Sequence, residues 1–117
     1  MNEPLMLCRV DEIADGGAKG LLRHGNDDQV FAVRRGAQVR VWLNDCPHEH
    51  RPLEYRQDRF LAADGSHIVC YAHSAHFDLD SGRCFAGPCE GRRLVAVPSC
   101  IDGGRLWIAA ELPTPFD

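Results

Sequence analysis

Apolar and polar residues alternate along short stretches of this chain, and Gly- and Asp-rich turns recur between them. Val39, Val41 and Leu43 alternate with Gln38 and Arg40, the period-two pattern of a half-buried strand, with Trp42 on the otherwise polar side. This stretch follows Val30-Phe31-Ala32-Val33 across Arg34-Arg35-Gly36-Ala37. Phe60-Leu61-Ala62-Ala63 and His67-Ile68-Val69-Cys70 flank Asp64-Gly65-Ser66, a hairpin signal. Phe77-Asp78-Leu79 and Arg83-Cys84-Phe85 flank Asp80-Ser81-Gly82 in the same way. Leu94-Val95-Ala96-Val97 and Leu106-Trp107-Ile108-Ala109 read as two closing strands around Asp102-Gly103-Gly104. Only Pro52 to Phe60 is expected to hold a short helix. The pattern predicts an all-β domain of small antiparallel sheets, without internal repeats, whose tail from Pro113 to Asp117 frays.

Composition narrows the functional classes. With 117 residues, 44% of them apolar, the chain is expected to form one domain, 1–117, with a real core. No apolar run is long enough to span a membrane. Met1-Asn2-Glu3-Pro4 does not open a secretory signal, so a cytoplasmic protein is expected. Thirteen Lys+Arg against seventeen Asp+Glu leave a net charge of −4, which argues against a nucleic-acid partner.

The six Cys and six His change the picture. Cys8 and Cys100 stand near the ends, whereas the stretch from Cys46 to Cys89 also holds His48, His50, His67, His73 and His76. Thiolate and imidazole concentrated together suit zinc, copper or an iron–sulfur centre. Cys46-Pro47-His48 is a C-x-H pair just past one strand, and Cys70-Tyr71-Ala72-His73 is a C-x-x-H pair just past another, with 21 residues between His48 and Cys70. Zinc ribbons usually open with two closely spaced cysteines, which these four residues lack. The order Cys, His, Cys, His better suits a centre of two metal atoms, such as a [2Fe-2S] cluster with two Cys on one iron and two His on the other. A mononuclear zinc site and four unrelated core residues are the alternatives.

Together with Pro52-Leu53, Ser74-Ala75-His76-Phe77-Asp78-Leu79-Asp80-Ser81-Gly82 and Gly87-Pro88, these pairs resemble the Rieske iron–sulfur domain, over about residues 40–97. The resemblance implies one [2Fe-2S] cluster per chain, with Cys46 and Cys70 on one iron and His48 and His73 on the other. It also implies a cluster-binding subdomain (about 45–88) on a β base, with Gly87-Pro88 in a loop covering the cluster. Ser74 stands where the family usually has Gly, a substitution with a cost if that position needs φ > 0. High-potential relatives have a disulfide between the ligand loops and hydroxyl donors two and four residues after the second His. Here Arg51 and Ala72 occupy the disulfide positions, and Ala75 and Phe77 the hydroxyl positions. A low-potential ferredoxin is therefore expected.

By resemblance the protein is no enzyme in itself. It would be a one-electron carrier that takes electrons from a flavin-containing, NAD(P)H-dependent reductase and delivers them to a terminal oxygenase. Exposed His48 and His73 would form the electron exit and would couple electron to proton transfer at alkaline pH. The alternatives are a Rieske-type small subunit of a nitrite reductase-like assembly and a zinc-stabilised interaction module. Among the remaining residues, Glu49 and His50 are expected at the rim. His76 is expected to point away from the cluster or bond a backbone carbonyl, and His24 and His67 to be ordinary surface or turn histidines. Cys84 and Cys89 read as small buried hydrophobes rather than a disulfide, Cys8 and Cys100 as core residues of the base, and Trp42 and Trp107 as packing residues.

Overall fold

The computed structural model describes residues 3–47, 52–54, 56–71 and 74–113. His48, Glu49, His50, Arg51, Ala72, His73 and the tail beyond Pro113 lie outside the described residues. The strands in chain order are β1 (Leu5–Arg9), β2 (Ala18–His24), β3 (Asp27–Arg35), β4 (Gln38–Leu43), β5 (Ile68–Cys70), β6 (Ala75–Phe77), β7 (Cys84–Ala86), β8 (Ala96–Val97), β9 (Ser99–Asp102) and β10 (Arg105–Ile108). They form three antiparallel sheets ordered β1-β10-β9, β2-β3-β4-β8 and β5-β6-β7, so the expected all-β architecture is present.

The four-stranded sheet is a wall with two apolar faces. Because side chains alternate across a strand, Val30, Ala32, Val41 and Leu43 point to one core with Cys8, Ile13, Leu21, Val97, Leu106 and Ile108. Phe31, Val33 and Trp42 point to the other, with Cys46, Leu53, Phe60, Ile68, Cys70, Phe77 and Cys84. The register matches, pairing Val30 with Leu43, Phe31 with Trp42 and Ala32 with Val41. Trp42 thus lies on no polar side: the face that looked polar in β4 receives the β5-β6-β7 layer, and Trp42 is 4% exposed. Phe31 stacks on Phe60 across this junction, centroids 4.3 Å apart, a contact worth about 0.5–1.5 kcal/mol beyond its burial.

Three expectations need correction. The described residues of 52–60 form turns, not a helix. Asp58 adopts φ 64, and the segment's polar groups are used on the wall: the Gly20 N–H donates to Asp58 Oδ1 (2.7 Å) and Gln57 Nε2 to buried Asp28 (3.0 Å). Leu94–Val97 does not pair with 106–109. Its last two residues form β8 against β4, and the closing hairpin is β9 with β10. The chain changes sheets at Pro98, which has no N–H to continue a ladder. Cys100 is exposed rather than core, because β9 is an edge strand with every residue exposed. Cys8 is buried on β1, and β10 lies between β1 and β9. Two strand spacings, about 10 Å, exclude a Cys8–Cys100 disulfide.

Candidate metal centre

Asn44, buried where β4 ends, sets the path of the first ligand loop. Its Nδ2 donates to the Asp28 carbonyl and to Glu54 Oε1 (both 2.9 Å), and its Oδ1 accepts from the Leu53 N–H (2.9 Å). One side chain therefore joins the wall to both limbs of the loop that begins with Cys46. Burial raises the Glu54 carboxyl above its ordinary value against the lowering effect of the Asn44 bond, while Asp28 and Asp27 push it further up. Its Oε2 is buried without a partner. The Arg92 guanidinium donates to the Pro47 carbonyl (2.9 Å) and pins the loop from a third segment.

Cys70 ends β5, and the second loop closes by the Ser74 N–H donating to the Cys70 carbonyl (2.8 Å). The Tyr71 N–H donates to the Leu53 carbonyl (3.0 Å), tying this loop to the first. The Tyr71 hydroxyl donates to the Leu61 carbonyl. Ser74 has φ 57, so the position where glycine was expected does demand the left-handed region. It costs about 1–2 kcal/mol there. The expected 60–70 hairpin forms: Leu61 bridges Ile68, the Val69 N–H donates to the Phe60 carbonyl (2.8 Å) and the Ala62 N–H to the His67 carbonyl (2.9 Å).

The third loop runs from β7 through Gly87-Pro88. Gly87 has φ +104, and a Cβ there would lie 2.7 Å from the Ser74 carbonyl oxygen and 2.8 Å from Ala75 Cα. The backbone of this loop thus rests directly on the second ligand loop. Cys84 and Cys89 flank it, both buried, with Sγ atoms 3.3 Å apart and the Cys84 thiol on the Ala86 carbonyl (3.1 Å). Burial first, then the hydrogen bond with Cys84, pushes the Cys89 thiol up to about 12 against a lowering effect of Cys46.

The structure brings together the two cysteines of the two ligand pairs: Cys46 and Cys70 are both 0% exposed and share one core. They come from separate loops, as a two-metal centre held from two sides requires. His48 and His73 lie outside the described residues. Two buried thiols at the mouth of adjoining loops, beneath a close-packed covering loop, fit the thiolate half of a Cys/His iron–sulfur site.

His76 points away from the core that holds Cys46 and Cys70, one of the two placements expected of it, since Ala75 and Phe77 on either side of it face that core. Its Nδ1 lies 2.7 Å from His67 Nε2, and His67 Nδ1 lies 2.8 Å from Ser66 Oγ. Both imidazoles contact half-exposed Phe85 on β7. His67 lies in the turn before β5, as expected, but its ring is engaged on both sides, and the partner of His76 is a side chain rather than a carbonyl. Only the strand pairing that sets Val69 against His76 brings these residues within reach.

The comparisons agree with this geometry. A comparison with curated proteins finds no match. Among solved structures, the ferredoxin of carbazole 1,9a-dioxygenase from Nocardioides aromaticivorans IC177 superposes with a TM-score of 0.68 at 25% identity, covering 92% of this chain and 98% of that one. The Sphingomonas yanoikuyae B1 ferredoxin superposes with a TM-score of 0.71 at 25% identity, covering 93% and 100%. A complex of reduced oxygenase and oxidized ferredoxin in carbazole 1,9a-dioxygenase contains a chain that superposes with a TM-score of 0.72 at 21% identity, covering 97% and 99%. The family model of the Rieske [2Fe-2S] domain matches residues 3–102, and with that match over most of its length the chain belongs to the Rieske [2Fe-2S] family.

Proposed function

We propose that this chain is a low-potential Rieske ferredoxin, a one-electron carrier between a flavin-dependent NAD(P)H reductase and a terminal oxygenase. Cys46 and Cys70 would hold one iron of a [2Fe-2S] cluster and His48 and His73 the other. The observation that carries this reading is the complete burial of Cys46 and Cys70 in one core on two loops joined by the Tyr71–Leu53 hydrogen bond. The cluster supplies reversible one-electron acceptance when bound. The chain's own residues do the rest: Asn44 and Tyr71 fix the two loops, and Gly87 lets the covering loop close on the second. Two ferredoxins at 25% identity, one of them named for a dioxygenase, support an oxygenase as acceptor. The whole of 1–117 would act as one domain, with residues of about 45–88 as its cluster-binding part.

Ala75 and Phe77 are fully buried on β6 and bring no hydroxyl to the site. A midpoint near the lower end of the Rieske range, about −150 mV, follows. At a net charge of −4 the carrier would suit basic docking patches, with salt-dependent association. No helix among the described residues is long and apolar enough to cross a membrane. A reducing cytoplasm is the setting we propose, and it suits six cysteines none of which forms a disulfide.

EPR of the dithionite-reduced protein, with iron and sulfide analysis, tests the reading. A rhombic signal with an average g below that of all-cysteine ferredoxins is expected. Stoichiometric zinc and no signal would overturn it in favour of an interaction module.

A further inference from the structure

We propose that His67 Nε2 and His76 Nδ1 form a second metal site, one that takes a divalent transition-metal ion of tetragonal or octahedral geometry such as nickel(II) or copper(II). Neither residue is a proposed cluster ligand, so the inference stands apart from that assignment. The two nitrogens lie 2.7 Å apart. Two imidazole nitrogens about 2.0–2.1 Å from one ion, at the right angle between neighbouring positions of such a geometry, lie about 2.8–3.0 Å apart. The pair is therefore already spaced as adjacent ligands. A tetrahedral ion would need a wider separation, about 3.3 Å.

The sheet explains why the two rings meet. Ile68 pairs with Phe77 and Val69 with His76, and both Ile68 and Phe77 are fully buried in the core. Because side chains alternate across a strand, His67 and His76 take the opposite face as diagonal neighbours, within reach of long side chains. Both are half-buried, so an ion can enter from solvent. Phe85 on β7 packs edge-on against His67 (centroids 5.3 Å) and tilted against His76 (6.1 Å). It braces both rings and gives the pair an apolar flank that limits solvent access.

Ser66 supplies the orientation. Its Oγ lies 2.8 Å from His67 Nδ1, and a metal-binding imidazole holds its other nitrogen in such a bond. Asp64 accepts the Ser66 N–H (3.0 Å) and brings an exposed carboxylate to the same turn. Two neutral imidazoles carry two N–H protons. In the loaded site these stand on His67 Nδ1, donating to Ser66 Oγ, and on His76 Nε2. Two nitrogen–metal bonds then replace one N–H···N bond, and no proton leaves. The rings aim at the ion by turning about χ2, a soft torsion for histidine. Among the described residues no group of three His, Cys, Asp or Glu could hold a metal. Water therefore completes the coordination, and the ion is held by a two-point chelate that ties the turn before β5 to β6.

The test titrates the protein, loaded with its cluster and expressed without a histidine tag, with nickel(II) by calorimetry. Wild type should bind one ion per chain, and magnesium, which prefers oxygen ligands, should not bind there. His67→Ala and His76→Ala each leave a single imidazole and should weaken binding by about tenfold or more. His24→Ala and Cys100→Ser, which remove exposed donors elsewhere, should leave it near wild type. Anomalous diffraction from nickel-soaked wild-type crystals needs no variant: a peak about 2.1 Å from both nitrogens is expected. Equal binding by wild type and the two histidine variants overturns the inference. So does loss of binding in His24→Ala or Cys100→Ser, a strongest peak elsewhere, or no binding by wild type up to about 1 mM. Iron and sulfide analysis of the same samples reads the cluster assignment separately.

Discussion

Replacing Gly87 by alanine tests whether the covering loop is held by backbone contact. The new Cβ would lie 2.7 Å from the Ser74 oxygen and 2.8 Å from Ala75 Cα, at least 0.6 Å inside the 3.4 Å of ordinary contact. These atoms are main chain, so no rotamer change relieves them. A side chain at φ +104 adds strain of about 1–3 kcal/mol, and displacing packed backbone adds about 1–3 kcal/mol more. Gly91→Ala separates the two effects, since Gly91 has φ +91 and nothing within 4 Å of the added carbon. It should incur the strain alone. For a domain of this size each kcal/mol is worth about 4 °C in the melting midpoint. The loaded variants should be melted at one heating rate, following circular dichroism and visible absorbance, because cluster loss makes unfolding irreversible. Gly87→Ala should melt at least about 4 °C below Gly91→Ala and bleach faster at constant temperature. Equal melting of the two variants would refute the claim that close approach, rather than φ alone, requires glycine at 87.

Other substitutions probe the remaining supports. Asn44→Ala leaves the Leu53 N–H and the Asp28 carbonyl without their partner; a loss of about 2–4 kcal/mol is expected, read by urea unfolding, with faster iron release to a chelator. Ser74→Gly removes left-handed strain of about 1–2 kcal/mol at an entropic cost of about 0.5–1 kcal/mol, so the melting midpoint should hold or rise by a few degrees. Glu54→Gln keeps an oxygen for Asn44 and removes a carboxylate that burial and Asp28 disfavour. Since the folded carboxyl is raised above its unfolded value of about 4.3, the wild-type penalty is absent below that pH and grows as pH rises through the raised value. Urea unfolding at pH 4 and pH 7 should therefore find the variant favoured only at the higher pH.

Much of this molecule was legible in its sequence, for identifiable reasons. The β3–β4 hairpin follows from alternation bounded by Arg35-Gly36, and Cys46 and Cys70, singled out by spacing, are both buried in one core. Gly82 and Gly87 were flagged as motif residues, and each sits where an added carbon would strike Trp42 or the Ser74–Ala75 backbone. What escaped depends on contacts between distant segments. The exposure of Cys100 depends on β9 being an edge, which no local pattern encodes. The His67–His76 bond needs the β5–β6 register, and the helix expected near Gln57 gives way to tertiary hydrogen bonds with Asp28 and Gly20. Trp42 was misplaced for a subtler reason: a strand covered on both faces breaks the rule that one side of an antiparallel sheet is wet.

That two-faced wall has a consequence for anyone wishing to transplant the centre. Along β3 the even-numbered Val30 and Ala32 serve the base, whereas the odd-numbered Phe31 and Val33 serve the ligand loops; in β4 the parity reverses, with Trp42 on the loop side. A chimera that moved residues 45–88 alone would set Phe60 and Gly82 down without Phe31 and Trp42, the rings they meet. The graftable unit is a contiguous segment together with every second residue of two strands outside it.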